Sequence, residues 1–246
     1  MAFSKKTLKR AYVLRKGVGL CRTSRLCARR ALESEVMEPK KTVHKLGILL
    51  SGKGSNFMAI HRAIADGRIQ GAEIAVVISN KPGAGGLEAA RSLGLTALAI
   101  PQEGKGPEAR EAHDTRMIAA LTDHGVDLVC LAGYMRIITP AFVEAFPSRI
   151  LNIHPSLLPA FPGLDAQRQA LEYGTKVAGC TVHFVDEIVD HGVIVLQSTV
   201  PVLDEDTGDT LAARILEQEH LAYPEAISRV LSGRYHVVGR RYLLKS

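Results

Sequence analysis

An asparagine and a histidine stand two residues apart in Leu151-Asn152-Ile153-His154-Pro155-Ser156-Leu157-Leu158-Pro159. The run RILNI leading into them is apolar and strand-like, and two prolines then end regular structure. Residues two apart on a strand project to the same face. An amide donor and an imidazole therefore emerge side by side at a strand end. That pair suits a reaction in which a carbonyl oxygen gains negative charge while a proton moves. The amide steadies the oxygen, and the imidazole gives or takes protons near neutral pH. Taken alone, Asn-x-His fits a buried pair capping a loop equally well.

A second group of residues suits an anion. SGKGSN, residues 51–56, follows an apolar run and opens a helical pattern. Glycines let the backbone approach an anion, and a helix start offers unpaired N–H groups. Gly54 supplies backbone, and Ser55 and Asn56 add side-chain donors. Phe57 occupies the place of the third glycine of a dinucleotide fingerprint, and no Gly-Lys-Ser/Thr follows. A single small phosphate fits better than a polyphosphate, with a capped tight turn as the plain alternative. A third stretch, GYMRIITP, offers an apolar wall for a flat ring in Met135, Ile137 and Ile138, or simply core packing. Asp190 falls in HFVDEIVDHG, a loop between two β runs.

These residues need a frame. Strand-like runs are expected at 45–51, 72–79, 95–101, 126–133 and 149–153, with helical patterns between them at 55–66, 86–94, 107–125 and 139–146. Short apolar runs bounded by Gly, Pro or Asn suit buried parallel strands. Their alternation with helices predicts an α/β fold with a doubly wound, mostly parallel, Rossmann-like sheet. In such sheets ligands bind beyond the carboxyl ends of the strands, where Asn152 and His154 fall. A C-terminal β-hairpin over 175–185 and 192–202 follows, then a helix over 207–231 that Pro224 is expected to kink or divide.

With these motifs in that order and spacing, residues 45–240 resemble the folate-dependent formyltransferases. The likeness is strongest to the branch acting on glycinamide ribonucleotide, the third step of de novo purine synthesis. The resemblance implies 10-formyltetrahydrofolate as cosubstrate and no metal. It implies that Gly54, Ser55 and Asn56 hold the ribonucleotide phosphate and that Glu219 contacts its ribose. Arg110, Met135, Arg136, Ile137, Ile138 and Asn152 would form the folate site. Asn152 and His154 would stabilise the oxyanion of a tetrahedral intermediate. Asp190 would orient His154, favour its charged form and assist proton transfer. Lys53, Asp165 and Gln167 depart from residues common in the family, and the latter two leave their loop's roles open. A deformylase relative usually has an extra N-terminal regulatory domain and a different residue at Pro155. A methionyl-tRNA formyltransferase has a further C-terminal domain. A non-catalytic folate-binding module would have no need to keep Asn152, His154 and Asp190 together.

Composition narrows the field further. Hydrophobic residues make up 46% of 246 residues, enough for a sizeable core. No apolar run is long enough to span a bilayer. The net charge of +6 is uneven: residues 1–36 hold ten Lys or Arg against two acids, a net of +8, so the remainder carries −2. The body therefore has little of the electrostatic footprint of a nucleic-acid binder. The expected partners are small molecules, with no nucleic acid and no membrane, and the assembly a monomer or homodimer. The basic segment, residues 1–44 at its widest, reads as an extension of the 45–240 domain. It suits a transit peptide, a translation start at Met37 instead of Met1, or an RNA-binding arm. Cytoplasmic residence is expected, with organellar import if the transit reading holds. Cys21, Cys27, Cys130 and Cys180 show no zinc or disulfide spacing.

Overall fold

The computed structural model describes residues 43–245; the basic extension lies outside them. The chain alternates as expected. Strands β1 (His44–Leu50), β2 (Ala72–Ser79), β3 (Ala97–Ala99), β4 (Leu128–Leu131) and β5 (Ile150–His154) are separated by helices α1 (Ser55–Ala65), α2 (Gly85–Ser92), α3 (Pro107–Asp123) and α4 (Pro140–Ala145). Then come α5 (Ala166–Tyr173), β6 (Val177–Phe184), β7 (Ile194–Pro201), α6 (Gly208–Leu231), β8 (Tyr235–Val238) and β9 (Arg241–Leu244).

Among the described residues, nine strands form one sheet in the order β3-β2-β1-β4-β5-β6-β7-β9-β8. The first five are parallel. β6 and β7 form the expected antiparallel hairpin and pair with β5. Strand order reverses between β1 and β4, so their carboxyl ends open the crevice where such sheets bind ligands.

Side-chain alternation builds two cores. Leu46, Ile48 and Leu50 of β1 face α1, α2 and α6, in a cluster with Phe57, Leu87, Ile215 and Tyr223. Leu49 faces the other way, with Val76, Ile78, Met117, Leu121 and Phe142 under α3 and α4. A one-residue slip would exchange these faces, so burial fixes the register. The Tyr223 hydroxyl lies 3.2 Å from the Leu131 carbonyl and 3.0 Å from that of Leu151, fastening α6 across β4 and β5.

Three features depart from expectation. Helix α6 runs unbroken through Pro224. The proline forfeits one backbone bond, but its ring is buried among the apolar side chains that hold the helix down. Helix α5 lies in a segment too short and too rich in Gly and Pro to show a period. The β8–β9 hairpin extends the sheet through a parallel pairing of Ile194 with Arg241.

Candidate active site

Strand β5 ends at His154, and its neighbours β4 and β6 hold it on both sides. The Asn152 amide nitrogen lies 3.2 Å from His183 Nε2, directly across the β5–β6 pairing. His183 Nδ1 lies 2.8 Å from the Phe184 carbonyl. A carbonyl only accepts, so Nδ1 carries the proton and the neutral ring accepts from Asn152 at Nε2. His183 was not among the site residues expected from the sequence, and its register opposite Asn152 is what brings it to the site.

His154 is 5% exposed. Its Nε2 lies 2.9 Å from the Phe161 carbonyl and its Nδ1 lies 3.3 Å from Asp190 Oδ2. Both ring nitrogens thus face acceptors, and only a ring protonated at both satisfies them. Asp190 also accepts the Gly163 N–H at 2.8 Å, and its Oδ1 lies 3.7 Å from His183 Nε2. Burial pushes the Asp190 carboxyl up. The His183 ring beside it, the Gly163 N–H and the nearby His154 together outweigh it, holding the group below the ordinary carboxylate range. The adjacent Gly192 is dictated by crowding: a Cβ there would lie 1.8 Å from the Phe184 carbonyl oxygen.

These residues line one end of a cleft of about 840 Å³, which also holds Arg110, Met135, Arg136, Ile137 and Ile138. Met135 is 69% exposed and Ile137 59%, so the apolar wall faces open space rather than the core. The wall is pinned at both ends. Ser51 Oγ accepts the Met135 N–H at 2.9 Å, and Asp114 Oδ2 accepts the Thr139 N–H at 2.7 Å. Asp114 is buried with His113, whose Nδ1 lies 3.2 Å away. Burial raises the Asp114 carboxyl, but His113 and Thr139 outweigh it and hold it down. Arg136 turns inward onto Gln102, while Arg110 is exposed at the cleft edge. Asp165 and Gln167 also line the cleft; Asp165 precedes α5 with φ 57 and pairs with Arg168 at 3.4 Å.

Gly54, Ser55 and Asn56, expected to hold a phosphate, gather at the end of β1 and are not among the residues lining that cleft. Gly54 adopts φ 79, and a Cβ there would meet the Gly86 Cα at 2.8 Å. The following N–H groups of Ser55, Asn56 and Phe57 begin α1, where no preceding turn can accept them. Asn56 Nδ2 donates to Glu219 Oε2 at 2.7 Å, joining residues 163 apart in the chain. Glu219 is 7% exposed, contrary to a solvent-facing helical position, and burial raises its carboxyl although the Asn56 bond opposes the shift. Ser51 joins the two regions: its hydroxyl donates to Asn80 Oδ1 at 2.6 Å while accepting from Met135.

Such a strand-end amide, imidazole and carboxylate beside an apolar-walled cleft is equipped for acyl-type transfer, and the sequence profile of the formyl transferase family matches residues 44–227. The chain belongs to the formyl transferase family. It is 44% identical over 187 residues to the phosphoribosylglycinamide formyltransferase of Escherichia coli (strain K12), a match covering 76% of this chain and 87% of that one. It is 46% identical over 191 residues to the trifunctional purine biosynthetic protein adenosine-3 of Drosophila melanogaster. That match takes in 77% of this chain but spans only 14% of the trifunctional protein's length. Among solved structures, glycinamide ribonucleotide transformylase 1 from Symbiobacterium toebii superposes with a TM-score of 0.79 at 51% identity, over 85% of this chain and 96% of that one. Among the described residues of this formyl transferase, no helix is long and apolar enough to cross a membrane. No described group of His, Cys, Asp or Glu is arranged to hold a metal ion.

Proposed function

We propose that this formyl transferase moves the formyl group of 10-formyltetrahydrofolate to the amine of glycinamide ribonucleotide. The observation that carries the reading is the convergence of Asn152, His154 and Asp190 in one cleft whose facing wall is Met135–Ile138. The residues present fit a reduced folate. Met135 and Ile137 offer exposed apolar surface to a flat ring, wall backbone groups can bond its edge, and Arg110 suits a carboxylate tail. The folate supplies an electrophilic formyl carbon.

The chain's own residues do the rest. Asn152 and the charged His154 hold the oxygen on which negative charge develops, and each such donor is worth roughly 3–4 kcal/mol. For His154 to donate, its Nε2 exchanges the Phe161 carbonyl for that oxygen, while Asp190 keeps the ring charged from the Nδ1 side. As the amine nitrogen bonds the formyl carbon, Asp190, held as a carboxylate, takes the proton that the amine sheds and passes it toward the folate nitrogen, whose bond to that carbon breaks as the intermediate collapses. His183 orients the Asn152 amide. The N–H groups at the start of α1 receive the phosphate, with Gly54 permitting close approach and Ser55 adding its hydroxyl. Glu219 serves the ribose hydroxyls from α6. Holding both reactants together supplies much of the acceleration.

The test is tetrahydrofolate release from 10-formyltetrahydrofolate with and without glycinamide ribonucleotide, following the formylated product. Release that depends on the ribonucleotide, with matching product, is expected. Release without it, yielding formate, would mean a deformylase and would sink the phosphate-loop assignment.

A further inference from the structure

The loop carrying Asp190 is gripped from the side away from the cleft. It joins Phe184 of β6 to Ile194 of β7 and closes on itself. Asp186 Oδ1 accepts the Ile188 N–H at 3.0 Å, and Asp186 Oδ2 lies 2.9 Å from His191 Nδ1. Asp190 sits among these bonds at φ 52, a left-handed conformation that a non-glycine residue keeps only when its surroundings hold it there.

Arg240 supplies the hold from outside. Its Nη1 lies 3.0 Å from His191 Nε2, and its Nη2 donates to the His191 carbonyl. Arg240 is the second residue of the two-residue turn between β8 and β9, whose first residue is Gly239 at φ 59. The hairpin is docked at both ends of the Asp190 loop. Tyr242 packs edge-on against Phe184 at 5.7 Å, and Arg241 pairs with Ile194.

The partners dictate the protons. A guanidinium only donates, so His191 presents a lone pair at Nε2 and gives its single proton to Asp186. The result is a chain from Asp186 through neutral His191 to Arg240. Asp186 and His191 side chains are 42% and 47% exposed, so the chain contributes little to stability. Its consequence is geometric. A rigid fork that grips both the ring and the carbonyl of one residue fixes that residue's position, and Asp190 is the residue bonded to His191 through its N.

We propose that Arg240 is a positioning residue for Asp190, holding the carboxylate at His154 through His191. This rests on the reading that Asp190 serves proton transfer. The test uses the full chain with Arg240→Gln, Arg240→Ala, Asp190→Ala and the double variant Asp190→Ala/Arg240→Gln. Arg240→Gln is expected to lower kcat about tenfold, since misplacement of a reacting group by an ångström costs on that order or more. The KM of each substrate and the thermal midpoint are expected to stay near wild type. Millimolar guanidinium should restore part of the turnover of Arg240→Ala. In the Asp190→Ala background, Arg240→Gln should cost nothing further, because residues acting as a unit are not additive.

Wild-type kcat in Arg240→Gln would overturn the clamp. So would a double variant whose loss equals the product of the single losses. If Arg240→Gln fails to fold, His191→Ala carries the test, because it keeps the hairpin and removes the ring; unchanged kcat there overturns the clamp equally. Normal turnover of Asp190→Ala would instead sink the reading beneath it.

Discussion

The end of β5 and the end of β1 are built on opposite electrostatic plans. At β5 the polar groups are charged and matched. His154 faces a carboxylate and a carbonyl, and Asp190 is held below the ordinary carboxylate range. At β1 they are backbone and amide dipoles around one buried carboxyl. Backbone N–H groups open α1, Asn56 donates to Glu219, and burial opposes ionisation of that carboxyl. The Asn56 Oδ1 atom is buried with no protein partner. On the proposed mechanism, the Asp190 carboxylate sits beside the histidine that meets the developing charge. On the proposed function a phosphate binds at the β1 end, and there burial raises the nearby Glu219 carboxyl.

The strongest way to break this contrast is to neutralise the charged end. Asp190→Asn keeps shape and removes charge, so His154 loses the anionic partner at its Nδ1. Turnover is expected to fall by about 10²–10³, the range seen when one stabilising group is removed, with little change in the KM of the ribonucleotide. Stability reports the same group. Because the folded Asp190 is held below its unfolded value, its contribution is present above the ordinary carboxyl range and is lost as pH falls through the lowered value. Urea unfolding of Asp190→Asn should therefore show a flatter acid limb than wild type. A steady turnover would refute the role assigned to this end.

The next largest effect belongs to the other end. Gly54→Ala puts a Cβ 2.8 Å from the Gly86 backbone at a residue with φ +79. The strain should cost about 1–3 kcal/mol and displace the N–H groups that begin α1. The KM of the ribonucleotide should rise about tenfold or more while kcat at saturation stays within severalfold, the signature of lost uniform binding. A fall in kcat with unchanged KM would merge the two regions.

The same contrast decides what could be read from sequence. The parallel half was legible because its strands are apolar runs punctuated by glycine, and β2 falls on the expected residues 72–79. Asn152 and His154 were legible as a pair because spacing on a strand fixes a shared face. The Asp190 loop was legible only as a position between β runs, since Arg240, which bonds His191 in it, comes some 50 residues later. Helix α5 and strands β8 and β9 are too short for a period to emerge. Glu219 entered only through the family resemblance, because α6 alone cannot reveal what packs on it. Its partner Asn56 comes from the first helix, through a contact no local pattern encodes.

Glu219 also gives the smallest and most discriminating expected effect. Its folded carboxyl titrates above the unfolded one, so its stability contribution is full below the unfolded value and is lost as pH rises through the folded value. At neutral pH the wild type therefore carries the cost of a buried ionisable group. Glu219→Gln retains the volume and an amide oxygen that accepts from Asn56 Nδ2, while removing the titration. The thermal midpoint at neutral pH should rise by about 2 °C, the shift that ~0.5–1 kcal/mol gives a chain of this size, and the gain should vanish in acid. Binding should move the other way, with the ribonucleotide KM rising severalfold, because an amide is a poorer acceptor for ribose hydroxyls than a carboxylate. A variant both more stable and weaker in binding would mean that this glutamate is kept for the ligand at the fold's expense. A variant less stable at every pH would mean that its bond to Asn56 serves the fold first.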